Sequence, residues 1–220
     1  MNATDAPRPI IVLGAGGHAK VVIDTLLALG REITSIADPD PETHGKDVLG
    51  VSVLGGEEAV EARAAGDISL ANGVGSTGED GRRIEVFERF RDKGYEFVSV
   101  VHPSAIIADG VEIRDGAQIM AGAIIQPDCR IGENAIINTG AQVDHDGIIG
   151  EHAHVAPGAV LGGTVSVGAQ THIGAGATVI QNIKIGTRCL VAAGAVVTGD
   201  IADGIRVSGV PARPMDGAQT

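Results

Sequence analysis

The chain has 220 residues, enough for one large or two small domains. Its formal net charge of −12 argues against a general nucleic-acid or anionic-membrane binder and leaves room for a local anion site. Glycine is abundant at 33, while Trp is absent and the aromatics amount to one Tyr and three Phe, which suits a narrow aliphatic interior.

Residues 1–8 read as a loose lead-in. They show no basic stretch followed by a long apolar run, so neither a signal peptide nor a spanning helix is expected, and the cytoplasm is the expected location. Pro9-Ile10-Ile11-Val12-Leu13 predicts a buried strand. It runs into Gly14-Ala15-Gly16-Gly17-His18-Ala19, then into a helical spacing at Val22, Ile23, Leu26, Leu27 and Leu29 that Gly30 stops. A second strand from Ile33 to Ala37 ends at Asp38. This strand, glycine turn, helix and strand with a terminal acid is similar to the dinucleotide fingerprint, where glycines let a phosphate approach the backbone N–H groups of a helix start. The same residues fit a tight turn of any small α/β domain. A region of about 100 residues is short for a whole dinucleotide, so a nucleotide or nucleotide sugar is a better ligand than NAD. Residues 51–54 and 68–71 predict further strands, the second leading into Asn72-Gly73-Val74-Gly75. Residues 57–65 and 82–93 predict helices, the latter with Ile84, Phe87 and Phe90 on one side.

From residue 101 to 202 an aliphatic residue recurs every six. It begins with Val101, Ile107, Ile113 and Ile119 and runs without a break to Val191 and Val197, seventeen units in all. Four positions later stands a mostly small residue, such as Ala117, Ala123, Cys129 or Ala135, and Gly often follows the aliphatic, as at Gly132, Gly150 and Gly162. A period of six fits neither a helix nor a lone strand. It fits a short strand plus a corner, three to a triangular coil, so residues eighteen apart stack at roughly the 4.8 Å strand spacing: a parallel β-helix. The repeat does not fix the handedness. Cys129 and Cys189 both take the small inward position on different faces, too far apart for a disulfide, and read as small buried hydrophobes. Residues 203–208 predict a turn, followed by Gly209-Val210-Pro211-Ala212-Arg213-Pro214. The expected division is an α/β domain over 1–100, the β-helix over 101–202, and a turn and tail over 203–220.

Three features coincide: Gly-Ala-Gly-Gly-His-Ala-Lys at residues 14–20, the unbroken hexads, and Gly-Val-Pro-Ala-Arg at 209–213. Together they resemble the bacterial sugar acetyltransferases that include sialic-acid O-acetyltransferases and N-acetyltransferases of nucleotide-linked 4-amino-6-deoxy sugars. Within that family the likeness is greatest to enzymes acting on GDP-perosamine and UDP-linked bacillosamine precursors, and it covers nearly the whole chain. The resemblance implies a Rossmann-like α/β domain followed by a left-handed parallel β-helix. It also implies acetyl-CoA as co-substrate with no metal, a nucleotide-linked amino sugar as acceptor, and a homotrimer with active sites between subunits. Lipopolysaccharide or glycan precursor synthesis is the implied setting.

The chemistry needs a base for the amine proton, and a neutral imidazole suits that role. His145, third in its hexad and followed by Asp146, matches the family's catalytic dyad, with Asp where Glu is frequent; the residues alone fit a solvated corner equally well. The resemblance places Gly14, Gly16, Gly17, His18, Asp38 and Asn138 on the sugar-nucleotide side, while Asn138 equally fits a corner residue and His18 a helix start. It places His154, Gly163, Ala175, Lys184, Gly194, Pro211 and Arg213 on the cofactor side. Gly163 follows His145 by one coil and offers a backbone N–H to the thioester oxygen or serves as a turn glycine. His154 and His172 stack as a pair. Lys184, Arg188, Arg206 and Arg213, four bases against Asp200 and Asp203, either receive the CoA phosphates or are scattered solvated charge. Three other readings stay open. A sugar O-acetyltransferase uses the same residues. A metal lyase like the γ-class carbonic anhydrases would use three of His145, His152, His154 and His172. A scaffold without chemistry is the third. Guanine and uracil are not distinguished.

Overall fold

In a computed structural model, residues 8–76 and 81–215 are described. They group into two units: residues up to Gly75 together with Arg82–Val100, and Val101 onward together with Ser76 and Gly81. The first unit is an α/β sandwich. Its strands are β1 (Ile10–Leu13), β2 (Ile33–Ala37), β3 (Asp47–Val48), β4 (Val51–Gly55) and β5 (Ser69–Asn72), in sheet order β3-β4-β2-β1-β5. The β1, β2, β4 and β5 pairings are parallel, and β3 joins β4 antiparallel. Every residue of β1 and β5 is buried, as expected for parallel strands covered on both sides. Helix α1 (Gly17–Ala28) buries Ala19, Val22, Ile23 and Leu26, and it ends where Gly30 turns left-handed at φ 65°.

Two helices of this unit differ from expectation. Helix α2 covers Glu57–Glu61 only: after Ala62 the chain tightens, with Arg63 N donating to Val60 O at 3.0 Å, and Tyr95 Oη donates to Arg63 O at 2.8 Å. Helix α3 (Arg82–Asp92) buries Arg83, Phe87 and Phe90, and Ile84 is only half-buried. All three Phe and the single Tyr pack in this unit, as Phe87, Phe90, Phe97 and Tyr95. The hexad region therefore holds none of them, as its narrow interior requires.

The second unit is a parallel β-helix that winds left-handed. Seventeen two-residue strands run from Val100–Val101 to Val196–Val197, each joining the sixth residue of one hexad to the aliphatic opener of the next. Strands eighteen residues apart pair in parallel, as Ile125 with Val143 and Val143 with Leu161. Three faces result. The first carries Val100–Val101, Gln118–Ile119, Ile136–Ile137, His154–Val155, His172–Ile173 and Leu190–Val191; the second begins at Ile106–Ile107 and the third at Glu112–Ile113. Openers and small fifth residues interleave in one aliphatic core. Cys129 and Cys189 are buried there as free thiols next to different sheets.

The corners carry a regularity beyond the hexad pattern. The fourth residue of each unit has positive φ from Gly110 to Gly194, fifteen units in succession. Gly, Asn and Asp fill most of these positions because they tolerate the left-handed region best. The glycines after the openers have a different cause. At Gly150 a Cβ would lie 2.6 Å from Ala169 N, so the next coil leaves no space for a side chain.

The expected turn over 203–208 is confined to residues 203–204, and a strand follows it. Arg206–Ser208 extends the first face by pairing with Leu190–Val191, and Arg213–Pro214 returns antiparallel to it. The partners Val207 and Val191 are sixteen residues apart, as are Ile201 and Ile185. The last coil is thus two residues short, which hides its strand from a six-residue reading.

Candidate active site and glycine-loop cleft

The α/β unit contains a cleft of about 620 Å³, within the ordinary range for small-molecule sites. The β1–α1 loop forms its floor with Gly14, Ala15, Gly16, Gly17 and His18, and Asp38, Asp40, Gly73 and Gly75 stand around it. Gly14 needs its left-handed φ of 94° to turn the chain from β1. Gly16 caps α1 and Gly17 opens it, and a Cβ on either would meet nothing within 4 Å. The first-turn N–H groups of a helix lack intrahelical acceptors and favour an anion. The space above the two glycines therefore suits a phosphate. His18 is half-buried in that first turn. The Asp38 carboxylate accepts from Ala15 N at 2.6 Å and from Asp40 N at 2.9 Å, so it braces the glycine loop while lining the cleft.

Sequence reasoning missed the opposite wall. Arg82, Glu85 and Arg89 line the cleft from α3, and Glu57 of α2 pairs with Arg89. The available signal was the polar face 82/85/89 on a helix whose other side carries 83, 87 and 90.

In the β-helix, His145 and Asp146 form the corner after the second-face strand Gln142–Val143. His145 N donates to Asp144 Oδ1 at 2.8 Å, and the ring Nδ1 meets Asp146 Oδ2 at 2.7 Å. A carboxylate only accepts, so Nδ1 carries the hydrogen and Nε2 keeps a free lone pair. The Asp146 bond raises the His145 pKa, and the charge of Asp144 adds to it; the ring is exposed. One coil on, Gly163 lies against the imidazole. A Cβ there would fall 2.5 Å from Nε2 and 2.6 Å from Cε1. Thr164 N donates to His145 O at 2.8 Å and so ties the two coils. Thr164 itself is a β-branched residue at φ 58°, a strained position beside the imidazole. Among the described residues the Gly163 N–H has no acceptor.

Asn138 and His154 meet on and beside the first face. Asn138 Oδ1 accepts from Thr139 N at 2.8 Å, so its Nδ2 donates to His154 Nε2 at 3.0 Å. His154 Nδ1 then donates to Ser76 O at 3.0 Å. Both nitrogens of this buried ring are engaged. His172 lies edge-on to it with ring centroids 4.7 Å apart, and its own buried Nδ1 has no hydrogen-bond partner among the described residues. Ala175 and Gly194 are neighbours on the corner between the first and second faces, with Gly194 N donating to Ala175 O at 2.9 Å. His145 and Gly163 occupy the corner between the second and third faces. The chain thus joins His145 with Asp146 and Gly163 on one edge, while Asn138, bonded to His154, shares the edge between the first and second faces with Ala175 and Gly194. Lys184 projects from the third face, Arg188 stands at a corner, Arg206 and Arg213 lie on the terminal strands, and Pro211 follows a cis peptide bond. Among the described residues no three His, Cys, Asp or Glu side chains converge as a metal ligand set. His152 instead bonds Asn134 Nδ2 through Nδ1 at 3.0 Å. Also among the described residues, no helix is long and apolar enough to cross a membrane.

Residues 9–90 match the family described as the PglD N-terminal domain, and residues 110–145, 128–163 and 164–199 match the bacterial transferase hexapeptide family. No curated protein matches the chain. Among solved structures, a variant GDP-perosamine N-acetyltransferase from Caulobacter crescentus, in complex with CoA and GDP-perosamine, is 38% identical. It aligns over 96% of this chain and 98% of its own, with a TM-score of 0.88. The acetyltransferase domain of PglB from Neisseria gonorrhoeae, in complex with acetyl coenzyme A, is 33% identical over 96% of this chain and 100% of its own, with a TM-score of 0.87. WeeI from Acinetobacter baumannii is 25% identical over 94% of this chain and 100% of its own, with a TM-score of 0.84. Together with the Rossmann-like unit and the hexad coil, these matches show that the chain belongs to the hexapeptide-repeat acetyltransferases that carry a PglD-type N-terminal domain.

Proposed function

We propose that the protein transfers an acetyl group from acetyl-CoA to the 4-amino group of a nucleotide-linked 4-amino-6-deoxy sugar, with GDP-perosamine favoured over UDP-linked 4-amino sugars. The observation that carries this reading is the His145 corner: an imidazole oriented by Asp146 at 2.7 Å, its Nε2 free, packed on Gly163. As the amine nitrogen bonds to the thioester carbonyl carbon, His145 Nε2 takes the proton that nitrogen must lose. When the carbon–sulfur bond breaks, the imidazolium returns that proton to the departing sulfur. Asp146 holds the tautomer and stabilises the imidazolium in between. The Gly163 N–H offers a donor to the carbonyl oxygen as its charge grows.

The cleft over Gly16 and Gly17 takes the nucleotide diphosphate. With Asp38 bracing the loop and Glu57 paired with Arg89, the lining residues Asp40, Glu85 and Arg82 are available to the base and ribose. CoA is the expected ligand of Ala175, Gly194, Lys184, Pro211 and Arg213. Ala175 and Gly194 stand on a different edge from His145, which favours a site completed by a second copy. The second face presents Ile106, Ile124, Val160 and Val196 outward together with Gln142 and Thr178, with Ile106 63% exposed, a mostly apolar surface suited to the packing of prisms in a homotrimer. A cytoplasmic role in lipopolysaccharide or glycan precursor synthesis fits such a substrate.

The test is CoA thiol release from acetyl-CoA with GDP-perosamine and UDP-4-amino sugars supplied in parallel. Turnover with one of them fixes acceptor and base together. Acetyl-CoA binding without turnover on any amine refutes the N-acetyltransferase reading and points to a hydroxyl acceptor.

A further inference from the structure

Arg83 occupies a position where physical chemistry disfavours it. It lies in the first turn of α3, near the positive end of the helix dipole, within the buried stripe that Phe87 and Phe90 continue. The residue is 2% exposed, and loss of solvent pulls its pKa down to about 9. An aliphatic residue there would avoid that cost. The guanidinium instead serves two backbone carbonyls, with Nη1 donating to Asn72 O at 3.0 Å and to Val74 O at 2.7 Å. Asn72, 1% exposed, returns the contact, with Nδ2 donating to Arg83 O at 3.0 Å and Oδ1 accepting from Val74 N at 3.1 Å. The two side chains form a reciprocal clasp around the segment that leaves β5.

That segment is a wall of the cleft, and it bears directly on the glycine loop. Gly73 N donates to Leu13 O at 2.8 Å, and a Cβ on Gly73 would fall 2.7 Å from that oxygen and 2.9 Å from Ala19 Cβ. A Cβ on Gly14 would meet Val74 Cγ2 at 3.3 Å, and one on Gly75 would meet His18 Cβ at 3.3 Å. A shift of the segment by a few tenths of an ångström is therefore felt at Gly14, at His18 and at the start of α1.

We propose that Arg83, with Asn72, is a positioning pair for nucleotide-diphosphate binding: it acts through residues 72–75 to set the glycine loop and His18, without touching the ligand. The inference rests on the nucleotide-sugar reading of the cleft.

Arg83→Lys keeps the charge but is one atom shorter, so its Nζ falls short of the place from which Nη1 serves both carbonyls. The dissociation constants of GDP, UDP and acetyl-CoA are measured by calorimetry on the full chain, well below its thermal midpoint. The nucleotide that wild type binds is expected to weaken about tenfold or more, with acetyl-CoA within about twofold of wild type. A role confined to stability would lower the midpoint and leave both affinities unchanged. Should Arg83→Lys fail to fold, Asn72→Asp decides. It keeps the acceptor for Val74 N and supplies a counter-charge to the guanidinium while removing the donor to Arg83 O, and it is expected to weaken the same nucleotide selectively. Nucleotide affinity within twofold of wild type in the folded variant, or equal weakening of nucleotide and acetyl-CoA, overturns the inference. If wild type binds acetyl-CoA but neither GDP nor UDP, the nucleotide reading fails, and this inference fails with it.

Discussion

Gly163→Ala isolates the contact on which the His145 geometry depends. Gly163 does not adopt a positive φ, so alanine fits its backbone, and the added methyl group is the whole perturbation. That methyl would lie 2.5 Å from His145 Nε2, 2.6 Å from Cε1 and 3.2 Å from Cδ2. Unstrained contacts of this kind lie at about 3.5 Å, so the ring must move by about 1 Å. The imidazole is exposed and free to swing outward, so the fold loses little, under about 0.5 kcal/mol. Catalysis loses more. Displacing the ring lengthens the 2.7 Å bond to Asp146 and moves Nε2 from the amine. A misplacement of about 1 Å costs about 10²-fold in rate, or about 2.7 kcal/mol of activation free energy. The assay is thiol release at saturating substrates, paired with a urea titration. A kcat within about threefold of wild type, with the variant folded, refutes the reasoning.

Other expectations concern charge and packing. Asp146 is the main cause of the raised His145 pKa and Asp144 the next, and the base works only when neutral. Activity should therefore fall on acidification from a point above the ordinary histidine value of about 6.5. Asp144→Asn should move that limb of the kcat/KM profile to lower pH; an unmoved limb contradicts the assignment. Burial lowers the His172 pKa. The unfolded chain then takes up a proton first as pH falls, so this contribution to stability is present above about 6.5 and is lost toward the lower folded value. In urea midpoints at pH 7.5 and 5.5, His172→Phe should show a smaller acid loss than wild type. Asn138→Ala strips the donor from buried His154 Nε2 and should cost about 1–3 kcal/mol in urea unfolding.

The sequence carried the architecture because a β-helix writes its geometry at fixed intervals. Each opener from Val101 to Val197 lies on a strand, since a residue facing a shared core every six positions must be aliphatic. The left-handed corners were equally periodic at Gly110, Asp128, Asn134 and Gly140, but His152, Gln170 and Arg188 dilute that signal. The last coil escaped because its spacing shortens by two residues. His145 and Asp146 were legible as neighbours in sequence. The contact between His154 and Ser76, 78 residues apart, was not, because no local pattern encodes a side chain reaching a distant carbonyl. Arg83 was hidden for a related reason. A charge in an amphipathic helix ordinarily faces solvent, and only the tertiary fold shows this one meeting two carbonyls.

His145→Asn tests the central claim most directly, measured as kcat for acetyl transfer beside the dissociation constants of acetyl-CoA and the sugar nucleotide. If His145 is the general base, kcat falls by about 10²–10⁴-fold while both dissociation constants stay within about twofold of wild type. A kcat within tenfold of wild type in the folded variant would contradict the account.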